Sequence, residues 1–205
     1  MPVKRPLFAV VLGAGCGLGG AALLTGPPGR VTAGAAFLLP AAVMVTDVLL
    51  RDLCIRHPIG EAGSPDAVRI YDAIMLRIGV FVMGVHATVL AGLLGLLAGR
   101  DWAGQIVPVM LGLVLISIGN LLPRTRPNLA LGIRTRRTLT NRAAWIRTHR
   151  STGYVTVATG AVILLSAIAV PPPIGRTMVL AVAPAALMAT WFVVRRATRH
   201  ACGDR

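Results

Sequence analysis

Three residues able to move a proton or hold a charge stand inside long apolar stretches of this chain: Asp47, Arg77 and His86. Burying a charge in hydrocarbon is costly, so such residues must face protein, water or a lipid headgroup. Asp47 and Arg77 lie near the same ends of two neighbouring stretches, and either pair with each other or reach out to the interface. His86 is nearer the middle of its stretch. There it is a proton relay, a ligand contact, or, as we read it, a neutral ring hydrogen-bonded to a neighbouring helix. A second group is His149, four residues after Trp145 and so on the same helix face, with Arg134 and Arg150 close in sequence. His149 as a base, with the two arginines holding a phosphate, is what a membrane enzyme acting on lipid or peptide would need, but the histidine has no sequence partner. Ser-His-Asp, HExxH and paired-carboxylate patterns are not recognisable. Glu61, Asp66 and Asp72 read as solvated charges.

Cys16, Cys54 and Cys202 show neither CxxC spacing nor a disulfide framework and read as isolated thiols. Gly15, Gly17 and Gly20 fit a GxGxxG pattern, but no strand precedes them and no helix opens there, as a dinucleotide site requires. The same stretch sets Gly13 and Gly17, and Gly15 and Gly19, four residues apart. That spacing lets another helix approach closely. We expect no catalytic, cofactor or metal site.

The elements that carry these residues are apolar and long. The chain has 205 residues, 55% of them hydrophobic and only 4% aromatic, with a mean hydropathy of +0.74. A soluble fold cannot hide that much apolar surface. Six stretches, about 7–26, 32–50, 74–98, 104–122, 153–170 and 177–194, can each cross ~30 Å of hydrocarbon. The fold class is therefore all-α: a polytopic membrane protein of about six transmembrane helices. Pro40 stands in mid-span of the second and should bend it. The first follows Lys4 and Arg5 and reads as an uncleaved transmembrane helix rather than a signal peptide.

The net charge is +14, but the arginines lie between apolar runs. They follow the positive-inside pattern rather than marking a nucleic-acid surface. Seventeen of the 21 Lys and Arg residues fall on one side of the six spans and three on the other, with Arg77 inside a span. This predicts that both termini are cytoplasmic, in a bacterial inner membrane. The chain divides into an N-terminal three-helix region, 1–102, and a second region, 103–205, that contains a basic cytoplasmic loop at 123–152. That loop is the longest and least repetitive polar segment, and so the first place to look for function.

Gly119, Asn120, Leu122, Pro123, Arg126, Pro127 and Asn128 close the fourth span with a redundant helix stop. Gly132, Ile133, Arg134 and Thr135 follow. Thr138, Leu139, Thr140 and Asn141 then offer N-caps for a helix through Arg142, Trp145, Arg147, Thr148, His149 and Arg150. On composition alone this is an interfacial helix leading into the fifth span, with Trp145 at the headgroup boundary.

In their order, these residues resemble the signature of the SdpI family of bacterial membrane proteins, immunity proteins named for a sporulation-delaying toxin system. The family pattern runs from Gly-Asn through Leu-Pro, Arg-Pro-Asn, Gly-Ile-Arg-Thr and Thr-Leu to Trp and Thr-His-Arg. Two features differ. Arg136 and Arg137 stand where the family usually has Pro-Trp, and only 25–30 remains of a polar loop that often carries a Pro and a Trp.

The resemblance implies a non-enzymatic protein that protects its cell against a secreted, membrane-active toxic peptide. In the best-known arrangement such a protein also captures a cytoplasmic transcriptional repressor. Beyond the lipid bilayer, the expected partners are thus that peptide and that repressor, with no direct nucleic-acid binding. The family-motif and partner-binding candidates are Gly119, Asn120, Pro123, Arg126, Pro127, Asn128, Gly132, Arg134, Thr135, Thr138, Trp145, Thr148, His149 and Arg150. The alternative is a small transporter or channel lined by Asp47, Arg77 and His86, for which an internal repeat would be expected and none is convincing.

Overall fold

The computed structural model describes residues 6–26, 31–56, 64–97 and 102–171, with short pieces at 181–182, 185–186 and 188–192. Among them there are helices and no strand. In chain order these are α1 (Pro6–Thr25), α2 (Ala33–Arg56), α3 (Pro65–Leu93), α4 (Trp102–Leu121), a 3-10 turn (Leu122–Arg124), α5 (Arg136–Thr140) and α6 (Arg142–Ala169). Five of these helices, all but α5, are long and apolar enough to cross a membrane. The sixth expected span, 177–194, lies largely outside the described residues, although those described within it are helical.

Three helices run further than the sequence reading placed them, and α2 continues to Arg56 rather than ending near 50. α3 begins at Pro65 rather than near 74, because the Ser64 hydroxyl accepts the Ala67 N–H, Pro65 stands at the first helical position and Asp66 lies in the first turn. These are strong start signals. α3 ends at Leu93 rather than 98, where Gly95 takes a positive φ of 77° and the Leu96 N–H reaches back to the Ala91 carbonyl. The helix expected at 142–150 and the fifth span at 153–170 are one continuous helix of 28 residues, α6. At 1.5 Å per residue it is ~42 Å long and overshoots a ~30 Å hydrocarbon layer.

α1 packs on α2 and α3, α3 packs on α4, and α4 packs on α6. Glycine makes these contacts close. On α1 the Gly15 and Gly19 face is the buried one. A Cβ at Gly19 would collide with the Ala36 carbonyl of α2, and one at Gly15 with the Met83 sulfur of α3, whereas Gly13 and Gly17 face open space. α2 continues through Pro40, whose ring is fully buried. α4 and α6 pair with opposite directions. A Cβ on Gly112 would stand 2.8 Å from the Gly160 carbonyl oxygen, and one on Gly119 2.9 Å from that of Gly153. Backbones in contact along two turns supply the packing that few aromatic side chains can.

The candidate functional site: a braced basic loop

The segment between α4 and α6 has little regular structure, so its backbone groups must find partners individually. Asn128 supplies several. Its Oδ1 accepts the N–H groups of Ala130 and Leu131 at 2.9 and 2.6 Å, and its Nδ2 donates to the Arg126 carbonyl at 2.7 Å. This tight turn directs Ala130 into the buried cluster of Phe8, Val43, Tyr71, Met75 and Met83, with Leu131 packed beside it. The loop is thus wedged against the first three helices.

Gly132 follows at φ +100°, where a Cβ would overlap the His149 ring. Both constraints exclude a side chain. The close approach lets the Ile133 N–H donate to His149 Nε2 at 3.1 Å, while Nδ1 meets the Trp145 carbonyl at 2.9 Å. Nε2 accepts, so the proton is on Nδ1 and the ring is neutral in this arrangement. Trp145 and His149 stack with centroids 3.9 Å apart and planes 18° from parallel. The indole N–H of Trp145 donates to the Thr125 carbonyl at 3.0 Å. Trp145 is completely buried and His149 1% exposed. The two rings therefore act as a post that ties both ends of the loop to α6, not as an interfacial anchor.

A Thr135–Thr138 capping box starts α5, and the buried Thr138 hydroxyl also donates to the Ile133 carbonyl at 2.9 Å. The family's usual Pro-Trp would fall at Arg136 and Arg137, the first positions of α5, where proline is favoured. Here the capping box alone opens the helix. Asn141 caps α6 by accepting the Ala144 N–H. Thr148 is buried at 1% exposure, and its hydroxyl has no hydrogen-bond partner. Gly119 and the Pro123 ring lie against Gly153. Pro127 is half-buried and Asn120 exposed.

The arginines do the opposite of the polar residues. Arg124, Arg134, Arg136, Arg142, Arg147 and Arg150 are all exposed. Arg134 donates to the Leu129 carbonyl, and Arg150 to the Tyr154 hydroxyl at 3.2 Å. Between Asp101 and Asp204 the chain contains no Asp or Glu. The loop therefore carries eight arginines with no carboxylate of its own, a concentrated positive field.

The three intramembrane polar residues meet different neighbours. Asp47 is buried and accepts the Tyr71 hydroxyl at 3.3 Å, beside an Arg51–Asp72 bridge of 3.3 Å that also joins α2 to α3. Arg77 donates through Nε to Ser117 of α4 and through Nη1 to the Ala73 carbonyl of its own helix. His86 is completely buried, facing the backbones of Gly15 and Ala36 without a close hydrogen bond to either ring nitrogen. Thr125, Ala130, Ser117 and Tyr71 were not singled out by sequence, because each acts on a residue distant in the chain. Among the described residues no group of His, Cys, Asp or Glu could hold a metal ion.

Helix length, apolarity and packing define a polytopic helical membrane protein. Residues 124–195 match the model of the SdpI/YfhL protein family, the region that holds the loop after its first residue, α5, α6 and the segment beyond. No curated protein and no solved structure matches the chain.

Proposed function

We propose that this is a non-enzymatic immunity protein of the bacterial inner membrane, with both termini cytoplasmic. Its helices protect against a membrane-active toxic peptide, and its loop docks an acidic surface of a cytoplasmic partner, a transcriptional repressor in the arrangement the family suggests. The observation that carries this reading is the division of labour in the loop. Asn128, Gly132, Thr135, Thr138, Trp145 and His149 are spent on bracing one backbone shape, while Arg124, Arg134, Arg136, Arg142, Arg147 and Arg150 face outward from a loop that contains no Asp or Glu. A rigid surface of one sign of charge suits recognition, because little ordering entropy remains to be lost on binding. It suits catalysis poorly, since both nitrogens of His149 are engaged and its ring is buried.

The test is survival of a toxin-sensitive bacterium under challenge with a family-type toxic peptide. Cells carrying the protein, its Asn128→Ala and His149→Ala variants, or empty vector are compared at equal membrane levels. Protection by the parent that weakens in both variants is the expected result. Equal killing of parent and vector would remove the immunity reading.

A further inference from the structure

A groove of about 430 Å³ runs along the junction of α3 and α4. Leu76, Val80 and Phe81 form one wall, Met110, Leu113 and Val114 the other, and among the described residues Arg77 is the only charged one in the lining. Val80 and Leu113 at the lips are 51% and 53% exposed, so the groove opens sideways, toward the bilayer. Arg77 meets Ser117, four residues before the end of α4, which puts its guanidinium ~6 Å along the helix axis from that end. That is within headgroup reach of a long side chain. Leu113 and Met110 lie one and two turns deeper on α4. The charge therefore sits at the shallow end and the apolar walls extend toward the membrane centre.

The guanidinium is aimed by two of its nitrogens, Nε at Ser117 and Nη1 at the Ala73 carbonyl. Among the described residues it has no carboxylate partner, and Nη2 is left for an anion. A positioned half-buried cation above an apolar slot matches one class of bilayer component: a phosphate-bearing headgroup with its acyl chain. We infer that the α3–α4 groove is a specific site for one anionic phospholipid, whose phosphate is held by Arg77 and whose chain lies between Val80 and Leu113. The site is separate from the basic loop and does not depend on the immunity reading.

The full-length protein is extracted from membranes of equal parts phosphatidylglycerol and phosphatidylcholine, and the lipid that stays bound is counted by native mass spectrometry. The parent should retain phosphatidylglycerol over phosphatidylcholine by about tenfold, because both lipids offer a phosphate but phosphatidylcholine also brings a quaternary ammonium that the Arg77 charge repels. Arg77→Gln should retain the two lipids equally. Val80→Trp, which fills the mouth of the groove from an exposed position and keeps Arg77, should retain neither. Arg136→Gln with Arg147→Gln, on the loop, should keep the parental preference. No preference in the parent, an unchanged preference in Arg77→Gln, full retention in Val80→Trp, or a preference abolished by the loop variants would each overturn the site. Val80→Trp decides alone if Arg77→Gln does not fold.

Discussion

Gly132 joins two demands in one residue: a backbone at φ +100° and space for the His149 ring. Gly132→Ala should therefore lower stability by about 1–3 kcal/mol, seen as a lower melting temperature in detergent. Asn128→Ala removes the acceptor of two backbone N–H groups and should cost about as much. Hydrogen exchange should quicken at the amides of Ala130 and Leu131, and less so in Asn128→Asp, which keeps an acceptor there. Part of this was legible in the sequence. Trp145 and His149 share a face because they are four residues apart on a helix, and Asn141 is a natural cap. What His149 accepts was not legible: the Ile133 N–H is sixteen residues away and is delivered by a glycine conformation that residue spacing does not encode.

Helix existence followed from apolar length, whereas helix ends did not. The ~30 Å layer limits how much of a helix is apolar, not how long the helix runs. α3 and α6 thus continue through polar residues that composition alone assigns to loops and interfaces. Glycine spacing was similarly half-informative: both four-residue pairs on α1 fit close packing, and the structure uses Gly15 and Gly19. Gly19→Leu should split α1 from α2 and lower the melting temperature markedly, because the obstructing atom is backbone. Gly17→Leu should leave it unchanged or raise it slightly, since helix propensity improves and nothing is displaced. Gly153→Leu should separate α4 from α6 and behave like Gly19→Leu. Parallel thermal scans of the three variants check this pattern.

At the scale of the molecule, the loop belongs to both parts of the chain. Ala130 and Leu131 seat it on the first three helices, and Trp145 and His149 seat it on α6. The charge asymmetry read from sequence and the family signature both point to this segment. The sequence did not reveal that most signature residues brace the loop, leaving the arginines as its outward chemistry. Arg136 and Arg147 separate these roles. Both are exposed, and Arg136 opens a helix where a negative charge is better placed than a positive one, so reversing them should leave the fold intact. The most direct measurement is survival under toxic-peptide challenge of cells carrying an Arg136→Glu, Arg147→Glu double variant, at parental membrane level and melting temperature. Loss of most of the parent's protection is the predicted result. Protection equal to the parent's would contradict a docking role for the loop.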